Sequence, residues 1–129
     1  MKTINFELSK RLTEWLYLDN IETEFKYYKM WDEYILLHKT EFYKSDWDNI
    51  KTLTLEEAIE FLPIYIKRKY KFNCEKFNNI IPFSNMKKWD KYWVSYIYNW
   101  EWYIQYSKTL LGAIEKMLEY LLDNNLIWK

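Results

Sequence analysis

Only one glycine, Gly112, stands among the 129 residues, and this scarcity limits the chain more than any other feature. Loops that cradle phosphate need several glycines, because the backbone itself must approach the ligand. No P-loop, dinucleotide fingerprint or EF-hand loop can be written on this sequence. Left-handed turn positions must also be filled by other residues, and Asn99 is the expected substitute at one of them. A single cysteine, Cys74, excludes an internal disulfide framework and a multi-cysteine zinc site within one chain.

The remaining composition narrows the class. Lys, Asn, Ile, Tyr and Phe make up almost half the chain, whereas Gly, Ala, Pro and Arg are nearly absent. That bias is the mark of A/T-rich codons, as in low-GC bacteria and their phages, and it departs far from average usage. It does not explain eight tryptophans, a residue enriched in interface hot spots. No apolar run approaches the ~20 residues of a membrane-spanning helix. The first dozen residues lack the apolar stretch of a signal peptide. A single domain over 1–129, cytoplasmic in a bacterial host and with no membrane contact, is expected.

Periodicity places three helices. After Asn5 as N-cap, Leu8, Leu12, Trp15 and Leu16 recur at helical spacing. Thr54 with Glu57 forms a capping box, followed by Leu55, Ala58, Ile59 and Leu62, and Pro63 closes the helix. From Thr109, Leu110, Ile114, Met117, Leu118 and Leu121 form one stripe, ended by Asn124-Asn125. Between the helices, 64–72 reads as one half-buried strand with Lys67, Lys69 and Lys71 on its outer face. Residues 92–98 and 102–106 read as a hairpin joined by Asn99-Trp100-Glu101. Residues 25–31 and 33–38 read as a weaker strand pair or one bent strand, and 73–90 as a loop or an irregular edge. Clustered strands predict an α+β fold: an antiparallel sheet of about four to five strands with three helices packed mainly on one face. The last helix is expected to cover Val94, Tyr96, Ile104 and Tyr106.

Candidate chemistry is sparse. His38 has no placed nucleophile, Cys74 has no neighbour to lower its pKa, and Asp46-Trp47-Asp48 reads as an exposed turn. Glu56, Glu57 and Glu60 are explained by helix capping and solvation. No catalytic, cofactor-binding or metal-ligating residue is therefore assigned, and a non-enzymatic role is expected. Charge is unevenly spread: residues 1–62 are net −5, and 63–91 are net +6. The basic stretch is interleaved with aromatics, a mixture suited to a single nucleic-acid strand. The scarcity of Arg weighs against that reading and leaves a solvated, edge-protecting face as its competitor. Candidate partner-binding residues are Trp100, Lys67, Lys69, Lys71, Lys87, Lys88 and Trp89. The expected partner is a host protein or ribonucleoprotein. Single-stranded nucleic acid bound at 65–91 is the alternative, and the chain itself is expected as a monomer or small homo-oligomer.

Three stretches carry a resemblance: Asn5-Phe6-Glu7-Leu8-Ser9-Lys10 with Leu12; Thr54, Glu56-Glu57 and Leu62-Pro63; and the tail Thr109-Leu110, Ala113, Lys116-Met117-Leu118, Tyr120-Leu121-Leu122 and Asn125-Leu126-Ile127. They resemble an uncharacterised group of small α+β proteins of phages and prophages in low-GC bacteria. The aromatic stretch 89–106 is richer in tryptophan than that group. The resemblance implies a phage or mobile-element setting and a protein that binds host machinery. Its most specific form is an inhibitor of a bacterial defence system, such as an anti-CRISPR protein. It carries over no catalytic residue or ligand.

Overall fold

The computed structural model describes residues 3–15, 17–42, 48–67, 70–76, 92–99 and 101–126, with backbone alone at 73–76 and 98. Contacts gather the chain into two compact units, one ending at Ala58 and the other starting at Ile59. Among the described residues, three α-helices and two antiparallel sheets make the fold α+β. The strands are divided between sheets of three and four instead of gathering in one.

In the first unit, α1 spans Phe6–Glu14. The Asn5 side chain accepts from the Leu8 N–H at 2.8 Å, as its position before the apolar run predicts. Leu8 and Leu12 are buried, but Trp15 is exposed. The helix has ended by Trp15, so the 100° step no longer aims that side chain at the core, and the Arg11 guanidinium lies 5.5 Å from its ring. Leu16 lies outside the described residues. Strands β1 (Phe25–Met30), β2 (Glu33–His38) and β3 (Asn49–Thr52) form an antiparallel sheet in the order β2-β1-β3. Phe6 packs on Tyr27 and Tyr34, at 5.2 and 4.9 Å between ring centroids, so α1 covers the face carrying Tyr27, Tyr34 and Ile50. Beneath it the hydroxyls of Ser9 and Thr52 share a buried 2.7 Å hydrogen bond. On the opposite face Tyr28 is buried, with Phe42 5.7 Å away.

Helix α2 (Leu55–Phe61) opens with the expected capping box: Glu57 N–H donates to Thr54 Oγ1, and Thr54 N–H donates to the Glu57 carboxylate at 2.9 Å.

In the second unit, β4 (Tyr65–Ile66), β5 (Tyr70–Lys76), β6 (Tyr92–Tyr98) and β7 (Glu101–Ser107) form an antiparallel sheet in that order. The single strand expected over 64–72 is instead two strands of a hairpin. Lys67 adopts φ 50°, which ends β4 and turns the chain back to pair Ile66 with Tyr70. Helix α3 (Leu110–Asp123) starts at Thr109, whose hydroxyl accepts from Gly112 N–H at 3.0 Å. Its stripe Ile114, Met117, Leu118 and Leu121 is fully buried, and Leu110 is half-buried. Asn125, at φ 55°, closes the helix: its N–H and that of Leu126 donate to the carbonyls of Leu122 and Leu121.

The face under α3 differs from the expected one. Tyr98 pairs with Glu101, so the β6–β7 connection has two residues, not three. Val94 then stands opposite Gln105, and Tyr96 opposite Tyr103. Val94, Tyr96 and Tyr103 share the helix-covered face, where Tyr103 meets Tyr120 at 5.7 Å. Ile104 and Tyr106 lie on the other face with Trp93, Ser95 and Trp102. A one-residue change in register transfers every side chain of a strand to the other face.

Candidate interaction surfaces

Exposed apolar side chains concentrate in the β1–β2 hairpin. Met30 pairs with Glu33, leaving Trp31-Asp32 as a two-residue turn. Trp31 has φ 61°, the only positive φ of that pair, in the position where this type of turn normally takes glycine. A bulky side chain there is strained, by about 1–3 kcal/mol. Trp31 is also 95% exposed, so burial returns nothing for that strain in the isolated chain. Behind it, Tyr34, Ile35 and Leu36 are exposed along β2, Ile35 at 43%.

His38 ends this strand and begins a 3-10 turn over Lys39–Glu41. Its Nδ1 lies 3.0 Å from Thr40 Oγ1, and its N–H donates to Glu41 Oε1 at 3.3 Å. Its ring packs on Phe25. The histidine therefore caps a turn.

The second sheet presents a different surface. Cross-strand pairing lines up Tyr65, Lys71, Ile97 and Trp102 in one row across all four strands, on the face away from α3. Tyr65 is 50% exposed, Trp102 43%, and Lys71 is exposed between them. Trp102 leans on Trp93 at 6.2 Å. Lys67, expected beside Lys71, turns to the helix side instead. Its ammonium donates to Tyr103 Oη at 2.9 Å and sits 5.2 Å from the centre of that ring. The tyrosine hydroxyl holds the Lys67 pKa above its ordinary value. Next to it Tyr70 donates a hydrogen bond to the Glu101 carboxylate, which raises the phenol's pKa above its ordinary value. The positive φ at Lys67 thus separates two lysines that an unbroken strand would have kept on one face.

A groove of about 400 Å³ opens in the first unit, lined by Glu22, Glu24, Lys26, Lys39, Phe42 and Lys51. Lys51 is committed to structure, donating to the carbonyls of Leu18 and Ile21 at 2.9 and 2.8 Å. Lys26 sits over the Phe42 ring at 4.7 Å, its pKa lowered by burial and by the Lys51 charge. Among the described residues no three His, Cys, Asp or Glu side chains are grouped to hold a metal ion.

Of the expected partner-binding residues, Lys67 and Lys71 are placed, on opposite sides of their sheet. Lys69, Lys87, Lys88, Trp89 and Trp100 lie outside the described residues, as do Asp46 and Trp47. Cys74 is placed in β5 by its backbone. Trp31 was not foreseen, because 25–31 read as continuous strand. The signal was the polar pair Asp32-Glu33 interrupting two apolar runs. No helix among the described residues is long and apolar enough to cross a membrane. No protein-family model, curated protein or solved structure matches the chain.

Proposed function

We propose that this is a non-enzymatic accessory protein that acts by binding a host macromolecule, with Trp31 as the anchor of its contact. The carrying observation is a strained tryptophan held almost wholly in solvent at a hairpin tip. A buried tryptophan in a partner's pocket supplies the kind of energy that dominates interfaces, and a two-residue turn presents it with little loss of freedom. In the phage-type setting implied by the sequence resemblance, the specific reading is an inhibitor of a bacterial defence system, anti-CRISPR-like in action. The test is a bacterial host whose CRISPR–Cas system clears a targeted plasmid. Expression of the chain is expected to restore plasmid uptake, and Trp31→Gly, folded by circular dichroism, to lose that effect. Unchanged clearance with the unaltered chain removes the defence reading. Equal activity of Trp31→Gly removes the anchor.

A second reading rests on the Tyr65–Lys71–Ile97–Trp102 row. Exposed rings flanking a lysine in a solvent-facing row are what a single strand of nucleic acid stacks on. Binding of a labelled oligothymidine should then fall steeply with salt and be lost in Lys71→Glu/Trp102→Ala. Binding that survives the double change leaves the row as a solvated face.

A further inference from the structure

We infer that the outer edge of β2 pairs with the same edge of a second copy of this chain, in antiparallel register centred on Leu36, joining two three-stranded sheets into one of six strands.

The hydrogen-bond alternation of the sheet identifies which groups are open. Lys29 N–H donates to Asp48 O, so the odd residues of β1 face β3 and the even ones face β2. Lys39 N–H donates to Glu24 O, in the same phase. In β2, therefore, Glu33, Ile35 and Leu37 turn their backbone groups to β1, whereas Tyr34, Leu36 and His38 turn theirs outward. Glu41 occupies the His38 N–H at 3.3 Å in an exposed position. The backbone groups of Tyr34 and Leu36 have no partner among the described residues.

An open edge is normally blunted by a lysine, a proline, a bulge or brevity. Strand β2 has none of these. It runs six residues, Glu-Tyr-Ile-Leu-Leu-His, in unbroken register with β1. The other sheet manages its edges: β4 has two residues, and the outward carbonyl of Tyr106 in β7 is taken by the Lys116 ammonium at 2.9 Å.

Charge selects the occupant and the register. A two-fold axis normal to the sheet requires outward residues to meet outward residues; of the residue-centred registers this permits, those centred on Leu36 and Ile35 pair most of β2. Centring on Ile35 sets Glu33 against Leu37, a carboxylate against an apolar side chain. Centring on Leu36 sets Leu36 against its own copy, Ile35 against Leu37, Tyr34 against His38 and Glu33 against Lys39. Both ends then carry an opposite-charge pair, from two side chains with no ionic partner among the described residues. The His38 N–H passes from Glu41 to the Tyr34 carbonyl of the other copy. Trp31 lies beyond the paired segment, so the inference is independent of what Trp31 binds.

One short strand per copy is a small interface, so the dimer should be concentration-dependent. Sedimentation equilibrium of the full chain over a wide concentration range is expected to show a monomer–dimer transition. Glu33→Lys and Lys39→Glu, each replacing two attractive pairs by two repulsive ones, should each weaken dimerisation by about tenfold or more. The double exchange should restore it. Leu36→Pro should abolish it with an unchanged circular dichroism spectrum, because the N–H it removes points away from β1. A monomer at every concentration overturns the inference. So does a dimer indifferent to the single charge reversals, or one that the double exchange fails to restore.

Discussion

The two sheets solve the same problem with different completeness. Each is antiparallel, each contains a two-residue hairpin, and each has a helix on one face. Helix α3 has fourteen residues and buries six of them, whereas α1 has nine and buries three. A helix is about 10 Å wide and strands lie about 4.8 Å apart, so one helix shields roughly two strands. Helix α1 leans on β3, and β2, at the far side of the sheet, keeps Tyr34 and Leu36 exposed on the helix face and Ile35 exposed on the other. In the second sheet α3 lies on the two central-to-edge strands β6 and β7, and its Lys116 ties off the edge. On the helix side, that exposure follows from where a short helix sits. It leaves the first sheet with a more exposed apolar strand than the second sheet shows at β7.

The largest expected contrast is in packing. Leu118→Ala in α3 should cost about 2–5 kcal/mol, through lost transfer energy and a cavity. Leu36→Ala on exposed β2 should stay within about 0.5 kcal/mol. Chemical denaturation of the two variants measures both, and similar losses would erase the distinction between the sheets.

Buried hydroxyls sharpen it. Removing the Ser9 partner by Thr52→Val should cost about 1–3 kcal/mol, because it leaves the Ser9 hydroxyl with one partner fewer in the core. Ser95 Oγ is buried in the second sheet with no hydrogen-bond partner among the described residues. Ser95→Ala should therefore be neutral or stabilising by up to about 1 kcal/mol. A loss as large as that of Thr52→Val would show that Ser95 has a use.

Helix starts should be more alike. Asn5→Ala and Thr109→Ala each remove a capping acceptor and should cost about 1 kcal/mol, read as a shift in denaturation midpoint. One more change is expected to stabilise. Trp31→Gly relieves a left-handed tryptophan and should raise stability by up to about 1 kcal/mol, the greater freedom of unfolded glycine offsetting part of the gain.

Legibility followed range. The caps at Asn5, Thr54 with Glu57, and Thr109 were readable because each acts within a turn of its own residue. The α3 stripe was readable because fourteen regular residues leave little doubt of phase. Sheet faces were not, because one residue more or less in the Asn99 connection reverses Ile104 and Tyr106. The break at Lys67 was hidden by a period-two pattern that continues through the turn, Ile66 and Tyr70 being buried on either side of it. Among the expected partner residues, Lys67 and Lys71 were separated by that same break.

Among the described residues, four that are not glycine hold positive φ: Trp31, Lys67, Asn99 and Asn125. Each closes a hairpin or a helix in a chain whose one glycine is spent inside α3. In mutational terms they are unequal. From lysine or asparagine, glycine is two base changes away, because their codons share no first or second base with it. From tryptophan it is one, TGG to GGG. The relaxed version of the β1–β2 turn therefore lies a single mutational step from this sequence, the easiest of the four to reach, and it is the one whose strained residue is also the most exposed large hydrophobic side chain of the hairpin.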